Sequence, residues 1–133
     1  MPVRPHLQRF RERIKIPRKG GFAVINNFYK RVNAFSEGVS QELRVQPPEI
    51  HSLADFEKVN RRLIKIRKKV YEFGTEGREL YDGFDPISRT QSRGKLEFNR
   101  MEDCEHSLHT CIRLIESWAI NIEHQKRRLS RNK

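Results

Sequence analysis

Residues 52–84 read SLADFEKVNRRLIKIRKKVYEFGTEGRELYDGF, and this stretch decides the fold. Phe56, Val59, Leu63, Ile66, Val70, Phe73, Gly77, Leu80 and Phe84 recur in it at strictly alternating intervals of three and four. Met101, Cys104, Leu108, Cys111, Ile115, Trp118 and Ile122 repeat the pattern beyond a break that contains Pro86. A helix turns once in about 3.6 residues, so three-four spacing lines up a narrow apolar seam of the kind by which long helices pack along each other. Both stretches are therefore expected to be long helices, and a seam on one requires a facing strip on another.

The flanks of these seams carry the usual punctuation. Ser52 with Asp55 three residues later is a variant capping box that starts the first long helix. Gly83 and Pro86 are expected to stop it after about Asp82, at a length of roughly 45 Å. Gly74 and Gly77 within it predict a kink or a close helix contact. A loop over 84–94 leads to a final helix over about 95–128. Upstream, Phe22, Ile25, Phe28, Val32, Phe35, Val39 and Leu43 mark an amphipathic helix over 22–45. Pro47 and Pro48 end that segment, because proline lacks an amide donor and disfavours helix in the residue before it.

The fold class read from this order is all-α: a long antiparallel helical hairpin over 49–129 with an amphipathic helix before it, a basic arm over 1–21 and a basic tail over 130–133. Apolar residues, with Cys and Met included, make up 35% of the 133 residues and charged residues 34%, so burial per residue is modest and oligomerisation is expected. No window approaches the ~18 apolar residues of a membrane span. No apolar core of a signal peptide begins the chain.

The net charge of +11 is laid down in blocks. Residues 1–31 carry a net +8, 58–69 carry +7 without one acid, and 126–133 carry +5, whereas 32–57 and 70–125 are acidic at −4 and −5. Lys58, Arg61, Arg62, Lys65, Lys68 and Lys69 form one stripe beside the first seam, read as having no acid within the run to neutralise it. Lys30 and Arg31 flank the apolar face of the first helix, which could equally lie on a membrane surface or pack in a bundle. These eight cations are the candidate lipid or polyanion contacts.

No catalytic site is expected: no phosphate loop, nucleophile elbow or carboxylate pair is present in the sequence. No metal or cofactor is expected either. His106 and His109 follow Glu102 and Glu105 at four residues, the spacing of exposed helix pairs. Cys104 and Cys111, two turns and roughly 10 Å apart on one helix, are too distant to bridge and read as small seam residues in a reducing compartment. Zinc-finger spacing is absent, and Pro17, Pro47 and Pro48 break the continuity that a basic leucine zipper needs.

The order of features resembles the BAR region of sorting nexins, in particular the branch linked to autophagy and recycling. A helix ends at Glu42-Leu43-Arg44, a turn follows at Pro48-Glu49-Ile50, and a long helix then breaks at Phe84-Asp85-Pro86-Ile87 before another long helix. The likeness spans about residues 22–125 and corresponds to the N-terminal part of that region without its PX domain. Asp85 and Gln91 depart from the glycine and tryptophan common in the family. The resemblance implies a non-enzymatic, dimeric, curved bundle, cytoplasmic and peripheral on endosomal membrane, that sorts cargo. Its partners would be anionic lipids such as phosphoinositides and a homo- or hetero-dimeric helical partner met through the seams, with no small-molecule substrate. Two other readings stand beside it: a basic helical nucleic-acid-binding protein that uses the arm and tail, and a coiled-coil scaffold whose charge only keeps it soluble.

Overall fold

Each of the three apolar-periodic stretches forms one helix. The computed structural model describes residues 21–82 and 92–131, and within them runs α1 (Gly21–Leu43), α2 (Leu53–Asp82) and α3 (Ser92–Arg131). The fold is all-α, and no strand occurs among the described residues. Residues 1–20 of the basic arm, Gly83, Phe84 at the end of the first seam, the Asp85-Pro86 break, the loop as far as Gln91 and the last two residues of the tail lie outside the described residues.

The capping signal works as its chemistry requires. Ser52 Oγ accepts the Asp55 amide at 3.2 Å, and Asp55 Oδ2 in return accepts the amide of His51 at 3.0 Å. Two amides left over at the helix start are thereby satisfied. α1 stops at Leu43, and the segment that follows is tied down rather than loose. Gln125 on α3 accepts the Ile50 amide at 2.7 Å and donates to the Pro48 carbonyl at 3.1 Å, and Ile50 itself is buried. α3 is longer than expected at both ends. It absorbs Gly94 in its first turn, and Arg128 and Arg131 in its last turn oppose the negative end of the helix dipole.

The directions of the helices follow from who meets whom. The Lys126 ammonium sits 4.6 Å from the centre of the Phe56 ring, and Gly77 faces Phe28 and Met101, so α2 and α3 run antiparallel. Trp118 Nε1 donates to the Leu43 carbonyl at 2.8 Å and Arg100 donates to Asn26, so the two ends of α1 meet α3 in the same order and the helices run parallel. α1 packs principally on α3 and meets α2 along one edge.

Eleven residues of the two seams become core: Leu63, Ile66, Val70, Phe73, Leu80, Met101, Cys104, Leu108, Cys111, Ile115 and Ile122 are all buried. Phe56, Val59 and Trp118 pack against this core half-buried. The facing strip that the seams require is therefore in the same chain, and α1 completes it with Ile25, Phe28, Val32, Val39 and Leu43. This settles the two options for α1's apolar face: it is spent on the bundle. Phe73 is the meeting point, with Phe28 edge-on at 6.0 Å and Phe35 tilted at 5.2 Å between ring centres.

The two glycines of α2 behave differently. The helix is continuous across both. A β-carbon on Gly77 would lie 3.1 Å from Phe28 Cζ, whereas one on Gly74 would meet nothing within 4 Å. The close contact expected of this pair is thus at Gly77.

A candidate polyanion-binding surface

The stripe residues lie on the outside of α2, and Lys58, Arg61, Arg62, Lys65, Lys68 and Lys69 are all exposed. The expectation that no acid neutralises them is overturned for three of the six. Arg62 donates from Nε and Nη2 to the two Glu42 carboxylate oxygens, each at 2.7 Å. Arg61 reaches Glu57 at 3.8 Å and Lys69 reaches Glu72 at 3.7 Å. The run itself holds no acid, but helical neighbours just beyond its two ends, and an acid on α1, come within reach. Of these three pairs, only the Glu42–Arg62 fork has the paired geometry that makes an exposed ion pair worth more than a few tenths of a kcal/mol. The hydrogen bond from Arg62 holds the Glu42 carboxyl below its ordinary range and raises the guanidinium in turn.

Arg31 is likewise engaged. It forks onto Glu76 across 45 residues of sequence, and this hydrogen bond raises its already high pKa. Its guanidinium lies 5.9 Å from the Phe73 ring centre, and the Lys69 ammonium lies 5.0 Å from that same centre. Arg31 therefore adjoins the far end of the stripe, while Lys30 is exposed on α1. Lys58, Lys65 and Lys68 form no ion pair among the described residues.

The antiparallel pairing of α2 and α3 adds cations that lie far away in sequence. With Lys126 over Phe56, the α3 end that carries Lys126, Arg127, Arg128 and Arg131 stands beside the start of the stripe. Two blocks of positive charge thus become one basic end. The opposite end carries Glu72, Glu76, Glu79 and Asp82 on α2 and Glu102, Asp103 and Glu105 on α3, interspersed with Arg31, Arg78 and Arg100. The charge blocks were visible in the sequence; their meeting depended on helix direction.

No protein-family model, curated protein or solved structure matches the chain.

Among the described residues no three of His, Cys, Asp and Glu gather in a way that could hold a metal ion. His109 stands 3.9 Å from Glu105, the helical pair read from their spacing. Both cysteines are free and buried. Burial, with Asp103 adding its charge, pushes the Cys104 thiol up to about 11. Burial also raises Cys111, against a lowering hydrogen bond with Ser36. A thiol attacks as its thiolate, so at pH 8 the folded protein should resist alkylation at both positions. Mass spectrometry after brief iodoacetamide treatment should find the native chain unlabelled and the urea-unfolded chain doubly labelled. Full labelling of the native chain would contradict the buried placement.

Proposed function

We propose that this chain is a non-enzymatic trafficking module of the BAR-type sorting-nexin kind, which holds anionic, phosphoinositide-bearing endosomal membrane from its cytoplasmic side. The observation that carries the reading is the joining of α2's stripe to the α3 terminus, with Lys58, Lys65 and Lys68 free of acid partners among the described residues. An anionic leaflet attracts each nearby Lys or Arg by about 1 kcal/mol, so a handful of aligned cations suffices for reversible attachment. Attachment in this reading is electrostatic, because Ile25, Phe28 and Val32 of α1 are committed to the core. No helix among the described residues is long and apolar enough to cross a membrane, which fits a peripheral role. The long antiparallel α2–α3 pair supports the BAR-like comparison.

Sedimentation with vesicles tests the proposal. Phosphatidylcholine vesicles containing phosphatidylserine and a phosphoinositide should recover the protein, and pure phosphatidylcholine should not. Lys58→Glu/Lys65→Glu/Lys68→Glu should weaken recovery by about 100-fold or more, because three attractions of about 1 kcal/mol each are lost. Unchanged recovery would return the stripe to an ordinary solvated face. Nucleic acid is the second reading, favoured by Arg128 and Arg131 at the exposed end of α3. RNA and DNA titrated at two salt concentrations distinguish it: tight binding with a steep salt slope and no vesicle recovery would replace lipid with nucleic acid.

A further inference from the structure

The last turn of α3 spells Lys126-Arg127-Arg128-Leu129-Ser130-Arg131, and one hydroxyl sits among its cations. Ser130 is exposed. Among the described residues its Oγ reaches only the Lys126 carbonyl, at 3.5 Å, the long limit of a hydrogen bond. Arg127 and Arg128 stand three and two residues before it. Adjacent arginines occur at one other place in the chain, Arg61-Arg62, where Leu63-Ile64 follows and offers no hydroxyl.

Kinases that choose a serine by charge place carboxylates against the residues that precede it. A guanidinium fork pairs with such a carboxylate through two parallel bonds, which makes arginine the side chain best read in this way. Two arginines ahead of Ser130 are the pattern an arginine-directed serine kinase requires. Access follows from position in the fold. Gln125 ties α3 to Ile50 and Pro48, and beyond Lys126 the side chain that packs on the core is Leu129, half-buried. A terminal turn opens at far lower cost than the bundle behind it, so residues 127–131 can be taken up in extended form.

We propose that Ser130 is a phosphorylation site for an arginine-directed serine kinase, and that its phosphate weakens the basic end. The transfer balances with ATP as co-substrate. Ser130 Oγ attacks the γ-phosphorus, a new O–P bond forms, and the bond from that phosphorus to the β–γ bridging oxygen breaks. ADP leaves with the electron pair, and the serine proton passes to the kinase's carboxylate base. The product carries about two negative charges at neutral pH. Residues three and four positions earlier share its helix face, so Arg127 and Lys126 are the cations this phosphate meets first. Arg127 is otherwise paired only with Glu123 at 3.8 Å, a loose exposed contact that a phosphate outcompetes. Both cations belong to the block that α3 brings beside the stripe of α2. Phosphorylation therefore takes back the charge that the helix pairing contributes.

This regulation rests on the membrane reading of the basic end, and its test measures modification and attachment separately. The intact chain is incubated with ATP and the catalytic subunit of cyclic-AMP-dependent protein kinase, and peptide mass spectrometry locates the phosphate. Ser130 should be modified in the wild type, and Ser130→Ala should lack that phosphate. Vesicles of phosphatidylcholine, phosphatidylserine and a phosphoinositide should then hold the phosphorylated chain about 30-fold more weakly than the untreated one, the loss of two leaflet attractions. Ser130→Ala should be recovered equally with and without kinase. No phosphate on Ser130 of the intact chain would overturn the site, and a modified control peptide spanning 124–133 would trace that failure to the helix. A fully phosphorylated chain that keeps its vesicle affinity would overturn the switch. Failure of the untreated chain to bind these vesicles would sink the membrane reading and this regulation with it, whatever the mass spectrum shows.

Discussion

Phe28→Ala is expected to lower the stability of the bundle by about 3–5 kcal/mol, the range for emptying a fully enclosed phenyl site. Phe28 has 0% exposure and is the residue through which all three helices touch. It meets Phe73 of α2 edge-on, lies against Gly77, and borders the cleft shared with Met101 and Cys104 of α3. Its removal deletes the ring's burial and also leaves a gap that three helices would have to close together. A domain of this size holds only about 5–15 kcal/mol in total, so the loss is a large fraction. Urea unfolding followed by circular dichroism at 222 nm should show a much lower midpoint with a similar slope. Phe28→Leu should retain more than half of the lost stability. A change below about 1 kcal/mol for the alanine variant would mean that α1 is not seated as described.

The second large effect separates two glycines three residues apart. Gly77→Val places a branched side chain where even a β-carbon approaches Phe28 Cζ to 3.1 Å. Overpacking of this kind costs about 1–3 kcal/mol, because either Phe28 or the α2 backbone must give way. Gly74→Ala meets nothing within 4 Å and removes a flexible residue from the middle of a helix. It should therefore stabilise the protein by up to about 1 kcal/mol. Thermal unfolding of the two variants beside the wild type should shift in opposite directions. Shifts of the same sign would show that backbone propensity, rather than the contact with Phe28, governs this part of α2.

The parts of this structure that were legible in the sequence are those set by local spacing. Alternating threes and fours from Phe56 to Leu80 and from Met101 to Ile122 identify the two long helices and name their buried residues, because periodicity maps directly onto one face. Ser52 and Asp55 mark the start of α2 for the same reason, since a cap is made within one turn. What sequence does not carry is which face of which helix is met across the bundle. Glu42 and Arg62 are 20 residues apart, and Arg31 and Glu76 are 45 apart, so no helical spacing announces either pair. The burial of Ile50 has no such signal, because a lone apolar residue near two prolines belongs to no periodic run. The candidate surface divides in the same way. Its six stripe cations were readable from α2 alone, whereas the contribution of Lys126 through Arg131 depends on α3 returning antiparallel.

The bond from the Trp118 indole to the Leu43 carbonyl gives the molecule a built-in optical reporter. The chain contains one tryptophan, so its emission comes from a single place, the joint where the last turn of α1 rests on α3. The colour of that light follows the polarity around the ring and the donor bond it makes. Undocking of α1 can therefore be watched without any label, separately from the melting of α2 and α3, in the same cuvette where vesicles are added.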